Sequence, residues 1–373
     1  MDIQMVDLQR QYLNIQSEID HAVLNAIREA AYINGPEVKL LEEKLQLYSG
    51  SKHVIPCANG TDALQIALMA LNLAQGDEII IPAFTYVATA EVIALLGLVP
   101  VMVEVDPYTF NINPAQIEAA ITPRSKAIVP VHLYGQSADM EPILQAAEKY
   151  HLWVIEDNAQ SFGAEYTFSD GTTKKTGTMG HIGCNSFFPT KNLGCYGDGG
   201  AIATDEDELA MKIRMIANHG QKIKYHHAII GCNSRLDTIQ AAILNVKMTY
   251  FDHFLAARKA AADYYDHHLK DCAWIKLPRS LPNAGHTYNQ YTLRIEGSQR
   301  DLLQSYLKQK GIPTMIYYPL PLYRQEAYSK FVAEDFALPI TEQLCQSVLS
   351  IPMHTELTPS IQEYISEAIL NFK

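Results

Sequence analysis

Between residues 53 and 158, short apolar runs alternate with segments of helical periodicity, and this alternation constrains the fold more than any other feature of the chain. HVIPC (53–57), EIIIP (78–82), VPVMVEV (99–105), KAIVPVHL (126–133) and LWVIEDN (152–158) read as strands. Helical segments are predicted near 61–73, 84–97, 114–121 and 139–150. Strands apolar on both faces must be covered on both, and strands separated by helices run parallel. The expectation is an α/β chain with a mostly parallel sheet flanked by helices. In such a sheet ligands gather beyond the carboxyl ends of the strands.

The flanking segments extend this pattern. Apolar positions from Ile15 to Ile33 recur at helical spacing with Ser17 as N-cap, and Asn34-Gly35-Pro36 breaks the helix. A second helix runs through Leu40, Leu41 and Leu45 and ends near Gly50. After residue 199, GGAIATD reads as a strand, Glu206 to Asn218 as a helix, and 236–269 as a long, broken helical stretch. Strands near 288–295 and 313–318 and helices near 299–310 and 358–371 complete the chain. With 373 residues, two domains are expected: a large one over 1–250 with an N-terminal helical segment, and a small C-terminal α+β one over 251–373.

Charge and composition exclude whole classes of function. The balance of 29 Lys+Arg against 41 Asp+Glu gives −12, which speaks against nucleic acid as a partner. The most apolar region, 79–105, is interrupted by Pro82, Glu91, Pro100 and Glu104, so it lacks the run of roughly 20 residues that a membrane helix needs. The start, MDIQMVDLQRQY, is polar and unlike a secretory signal. Six cysteines without CxxC spacing are read as reduced thiols, and the cytoplasm as the compartment. From Met211 to Arg235 there is no Asp or Glu, while Lys212, Arg214, Lys222, Lys224 and Arg235 are present with three histidines. This is either a solvated basic face or a cationic wall for an anionic small molecule.

The chemistry converges on SFFPTKNLGCYGDGG, residues 186–200. Lys191 sits in a loop in which Gly194, Gly197, Gly199 and Gly200 allow close backbone approach. A lone lysine is most often a solvated surface group; it becomes a nucleophile only where it can lose its proton. Three other places supply what such a lysine needs. At Cys57-Ala58-Asn59-Gly60-Thr61-Asp62 a strand gives way to a helix, so Gly60, Thr61 and the first free amides could grip a phosphate. By itself that stretch would be only an N-cap. Asp157 ends an apolar strand, where a carboxylate could hold a protonated pyridine nitrogen, and Gln160 could donate to an oxygen of the same ring. Ser186 offers a second phosphate ligand, and Tyr86 could stack on a ring, although a core role is commoner for an aromatic residue. In this order the pieces describe a pyridoxal 5'-phosphate site.

The stretches NGTDAL, FTYVATA, EDNAQSFGA, SFFPTKNLGCYGDGGA and GCNSRLDTIQAAIL resemble those of the DegT/StrS-type sugar-nucleotide aminotransferases over nearly the whole chain. The resemblance implies a fold-type I pyridoxal phosphate transferase that moves the amino group of L-glutamate onto a keto-sugar nucleotide, in the making of bacterial surface polysaccharide such as O-antigen. Within the family the likeness is to members acting on a nucleotide-linked 3-oxo-uronate, a 4-keto or 3-keto deoxyhexose nucleotide being the alternative acceptor. It makes Lys191 the lysine that bonds the cofactor, Asp157 the partner of the pyridine nitrogen, Gln160 the neighbour of the ring hydroxyl and Tyr86 the stacking residue. It makes Gly60, Thr61 and Ser186 phosphate ligands. It assigns Asn233 to the phosphate of the neighbouring subunit, so a homodimer with shared sites is expected. Arg235, His226 and His227 would face the sugar nucleotide. Tyr317, in TMIYYPLPLY, stands where histidine is expected, which bears on the choice of sugar.

Other readings are weaker. The run GCYGDGG precedes a strand and opens no helix, so it is not a dinucleotide fingerprint. Dehydratases of the family lack the lysine. A regulatory protein that binds the cofactor without turnover would be favoured by loss of Lys191 or Asp157, and both are present. No metal ligand set is expected.

Overall fold

A computed structural model describes residues 2–372. The chain opens with α1 (Leu8–Asn14), α2 (Gln16–Glu29) and α3 (Pro36–Ser49), then enters the alternating region with β1 (His53–Cys57). There follow α4 (Gly60–Ala70), β2 (Glu78–Pro82), α5 (Ala88–Leu95), β3 (Val99–Val103), α6 (Pro114–Ala120), β4 (Ser125–Ile128), α7 (Met140–Tyr150) and β5 (Trp153–Asp157). A hairpin of β6 (Glu165–Thr167) and β7 (Thr173–Lys175) precedes β8 (Ile182–Ser186), β9 (Gly200–Thr204) and α8 (Asp207–Ala217). A second hairpin, β10 (Gln221–Ile223) and β11 (His226–His227), leads to α9 (Thr238–Thr249) and α10 (Phe251–Leu269). The remainder is β12 (Ile275–Lys276), β13 (Tyr291–Ile295), α11 (Arg300–Gln309), α12 (Pro339–Ser347), β14 (Val348–Ile351) and α13 (Pro359–Leu370).

The main sheet has seven strands in the order β1-β9-β8-β5-β4-β2-β3. β2, β3, β4, β5 and β8 pair in parallel, whereas β9 is antiparallel to both β8 and β1. Both faces are buried: β2 and β9 are covered along their whole length, as their continuous apolar runs require. One core packs α4, α5 and α8 against Ile79, Ile81, Ile155 and Ile202. On another, α2, α3 and α9 bury Leu41, Leu45, Leu244 and Phe251. A further core gathers α10, α11 and α13 on the antiparallel sheet β12-β13-β14, with Ile3 of the N-terminus packed into it. α9 and α10 meet at Tyr250, so the change from one core to the other falls within the long helical stretch.

Three expectations are corrected. Ser17 lies inside α2 and caps nothing; the helix starts after Ile15 and ends at Glu29, because Ala30 turns left-handed at φ 54°. The preceding helix α1, capped by the Asp7 side chain on the Arg10 amide, is too short to show periodicity. The segment 313–318 forms no strand; a single bridge between Met315 and Ser350 joins its backbone to the second sheet among the described residues. The strand read over 126–133 stops at Ile128, since Pro130 has no amide to give to a ladder.

Candidate active site

The strand order brings the carboxyl ends of β1 and β8 to either side of Gly200, which faces Cys57 in one ladder and Ser186 in the other. A Cβ at Gly200 would lie 2.5 Å from the Asn59 carbonyl, so only glycine lets the β1–α4 turn cross here. A Cβ at Gly60 would lie 2.6 Å from that of Ser186, which puts Gly60 and Ser186 in direct contact. Asn59 caps α4 by accepting from the Asp62 amide at 2.8 Å. The amides of Gly60 and Thr61 therefore open the helix without intrahelical partners. With the hydroxyls of Thr61 and Ser186 they form a set of donors suited to an anion.

Asp157 closes β5 and is buried. Its Oδ2 accepts from Thr89 Oγ1 at 2.9 Å and its Oδ1 from the Ala159 amide at 3.2 Å. Burial raises its pKa; the Thr89 and Ala159 bonds, and then the charge of Lys191, pull the other way. Lys191 is half-buried, with its amide bonded to Phe188 O at 2.8 Å. Burial pushes its amine down to about 8, against the attraction of Asp157. Each group senses the other, so the structure brings lysine and carboxylate to one place. At pH 7 such an amine is neutral about one time in ten, against fewer than about one in a thousand at an ordinary lysine pKa.

Gln160 is held beside them: its Oε1 accepts from the Tyr134 amide at 2.7 Å, and its Nε2 donates to the Tyr318 hydroxyl at 3.2 Å. Tyr86 is 55% exposed and leans on Tyr318, with centroids 6.1 Å apart. Tyr317 offers its carbonyl to the Tyr134 hydroxyl and sets its ring against that of Tyr318 at 6.0 Å. Thr89, Tyr134 and Tyr318 were not singled out from the sequence. Thr89 lies in the same FTYVATA stretch as Tyr86, and Tyr318 follows Tyr317, so neighbourhood was the available signal.

The remaining residues stand apart. Asn233 is exposed and Arg235 half-buried, without a salt bridge among the described residues. Their segment is tied to its own chain's cradle, because the Ala58 amide donates to Ser234 Oγ at 3.1 Å. His226 and His227 project on the exposed β10–β11 hairpin, where His227 Nδ1 donates to His219 O at 2.7 Å. The cationic wall read over 211–235 is thinner than its sequence suggests. Lys212 turns to Ala70 O at the end of α4 and to Asn72 just beyond it, and the exposed Arg214 pairs with Glu42 of α3. Lys222, Lys224 and Arg235 are left.

Three comparisons bear on this geometry. The description of the DegT/DnrJ/EryC1/StrS aminotransferase family matches residues 13–370. The chain is 48% identical over 370 residues to the UDP-2-acetamido-2-deoxy-3-oxo-D-glucuronate aminotransferase of Pseudomonas aeruginosa, covering 99% of this chain and 100% of that one. It is 46% identical to a pleiotropic regulatory protein of Geobacillus stearothermophilus, covering 100% and 99%. A crystal structure of a DegT DnrJ EryC1 StrS aminotransferase from Brucella abortus superposes with a TM-score of 0.94 at 42% identity, over 99% of each chain. By sequence and by fold, the chain belongs to the DegT/DnrJ/EryC1/StrS aminotransferase family.

Proposed function

We propose that this aminotransferase uses pyridoxal 5'-phosphate to move the amino group of L-glutamate onto a keto-sugar nucleotide, UDP-2-acetamido-2-deoxy-3-oxo-D-glucuronate being the acceptor best supported. The observation that carries the chemistry is the buried Asp157, its carboxylate held by Thr89 and Ala159 with acceptor positions to spare, near enough to Lys191 for each charge to act on the other. The acceptor rests on the Pseudomonas relative.

The residues present fit the cofactor. The cradle of Gly60, Thr61 and Ser186 has free amides and hydroxyls for a phosphate, and Asp157 keeps unused lone pairs for a ring N–H. When bound, the cofactor supplies an electron-withdrawing ring that makes the proton on the amine-bearing carbon removable. Asp157 would hold the ring nitrogen protonated, with its carboxylate oriented by Thr89. Tyr86 would cover one ring face and exclude water from it, and Gln160 has a second amide proton to give to a ring oxygen. Lys191 Nζ, neutral about one time in ten at pH 7, would take the carbon-bound proton and return it on the next step.

Arg235 would grip the sugar carboxylate, since a guanidinium can make two parallel hydrogen bonds to it. His226, His227 and Tyr317 would line the sugar and nucleotide. We also propose a cytoplasmic homodimer in which Asn233 serves the partner's phosphate. The free state of all six cysteines fits that compartment, and the exposure of Asn233, His226, Ile223 (67%) and Tyr225 (80%) fits a subunit contact. No helix among the described residues is long and apolar enough to cross a membrane. The division of the chain at residues 250 and 251 into a cofactor-binding part and a smaller one is part of the same proposal.

A second reading, a regulator without turnover, draws on the Geobacillus relative. The paired Lys191 and Asp157 favour catalysis. Purified protein assayed with glutamate and a panel of keto-sugar nucleotides decides: the uronate should give the highest kcat/KM. Arg235→Lys should lower use of the uronate by about one to two orders of magnitude while sparing an uncharged analogue. Equal loss on both would remove the uronate assignment. Mixing inactive Lys191→Ala chains with an inactive Asn233/Arg235 double variant should restore activity; no recovery after verified subunit exchange would mean that the Asn233 segment serves its own chain.

A further inference from the structure

We propose that Lys247 is a positioning residue for the reaction: from α9 it fixes the loop that carries Lys191, and so sets how dry the Lys191 amine is. This rests on the role given to Lys191 above. The loop between Ser186, where β8 ends, and Gly200, where β9 begins, contains no helix or strand, so side chains and isolated backbone bonds must hold it. At its base the Cys195 amide donates to Phe187 O at 2.8 Å, and the Cys195 thiol to Phe187 O and Gly197 O. Asn192, the residue after Lys191, is buried with neither amide atom hydrogen-bonded, so it gives the loop no hold.

The hold comes from α9. Gln240 Oε1 accepts from the Tyr196 amide at 2.9 Å, and its Nε2 donates to Tyr196 O at 3.3 Å. Two turns further along the same face, Lys247 Nζ donates to Gly194 O at 2.7 Å and lies 4.3 Å from the centre of the Tyr196 ring. Lys247 is 1% exposed and pairs with no carboxylate among the described residues. Burial lowers its pKa to about 8, and Cys195 acts in the opposite sense. Tyr12 and Asp20 face the Tyr196 ring from α1 and α2, and Asp157 is the charged group that faces Lys191.

A buried ammonium without a counter-ion carries a desolvation cost that a methionine of similar volume would not, and the donor it gives to buried Gly194 O roughly offsets that cost. Stability therefore does not explain a lysine here. What the lysine supplies is a charge-assisted donor for Gly194 O and a cation over the Tyr196 ring, which together pin the segment just after Lys191. Without them the loop loosens, water reaches the Lys191 amine, and the burial that keeps it partly neutral is lost.

The test reads Lys191 in cofactor-free protein. Wild type and Lys247→Met are labelled with a trace of amine-reactive anhydride over a pH series, and the Lys191 peptide is quantified against exposed Lys39 by mass spectrometry. The midpoint of Lys191 reactivity should rise by about one pH unit in Lys247→Met, a tenfold smaller neutral fraction. The thermal unfolding midpoint of the variant should change little, the relieved desolvation offsetting the donor lost to Gly194 O. Lys247→Arg, which keeps a cation and a donor, should stay with wild type. An unmoved midpoint in folded Lys247→Met overturns the proposal. Should that variant fail to fold, Tyr196→Leu reads the same quantity: a smaller rise supports the role of Lys247 and none overturns it. A wild-type Lys191 that titrates like Lys39 would overturn both this proposal and the function given to Lys191, whereas a low wild-type midpoint with unmoved variants removes only Lys247.

Discussion

Glu156 and Asp157 are consecutive carboxylates at the end of β5, both buried, and their side chains leave the sheet on opposite faces. On one face, Glu156 Oε1 accepts from the amides of Met179 and Gly180, each at 2.6 Å. Its Oε2 accepts from His132 Nε2 at 2.8 Å and from the Gly177 amide at 2.7 Å. His132 Nδ1 accepts from the Ala138 amide, which places the ring proton on Nε2. Every acceptor position of Glu156 is therefore used. On the other face the Asp157 carboxylate accepts, among the described residues, only from Thr89 and Ala159. The same chemistry is thus a bolt on one side and an open receptor on the other. Burial does not separate the two roles; the count of satisfied lone pairs does. The bolt also serves the receptor, because the His132 amide donates to Asp157 O at 3.1 Å.

The sharpest way to break this contrast is to empty the receptor's face of its reactive partner. Lys191→Ala should abolish turnover and leave a folded chain by circular dichroism; near wild-type transamination would sink the role given to Lys191. The same variant tests the electrostatics. Burial lowers the Lys191 pKa from 10.5 to about 8, so between those values the unfolded chain binds more protons. Wild type should gain stability relative to Lys191→Ala as pH rises through that window, measured by denaturant titration at each end.

Asp157→Asn should cost about two to three orders of magnitude in kcat/KM, the size of losing a preorganised electrostatic contact. Its unfolding midpoint should change little, since few bonds are lost. A large loss of stability with activity retained would make Asp157 a second bolt. Glu156→Ala should do the reverse. It strands three backbone amides and the His132 ring, and should destabilise the chain by at least about 3 kcal/mol in urea unfolding. Unchanged stability there would dissolve the distinction. The smallest effect is expected for Thr89→Val, which removes one bond to Asp157 and keeps the shape: about 1 kcal/mol, or roughly fivefold in kcat/KM. Full activity would show that Ala159 and the strand alone orient the carboxylate.

Much of the proposed site is legible in the chain because its signals are local. The turn at Asn59-Gly60-Thr61, the carboxylate at the end of LWVIED and the lysine among glycines each declare themselves within a few residues. The alternation of strand and helix between 53 and 158 likewise rests on periodicities of one element. Where the reading failed, the deciding contacts were remote. Lys212 and Arg214 look like their neighbours in an acid-free stretch, and only their bonds to Ala70 and Asn72 and to Glu42, each far off in the chain, remove them from it. The expected strand at 313–318 has suitable residues but meets the second sheet at only one bridge.

What the sequence determined by itself was the class of fold, the order of its elements and the residue types placed at strand ends, all set by short-range periodicity and turn chemistry. Tertiary structure decided which of those residues have partners. The Thr89–Asp157, Gln160–Tyr318 and Lys247–Gly194 bonds join positions 68, 158 and 53 residues apart. No local pattern encodes them, because a hydrogen bond across the fold depends on where packing leaves each donor, and that is settled only when the sheet and its helices close on one another.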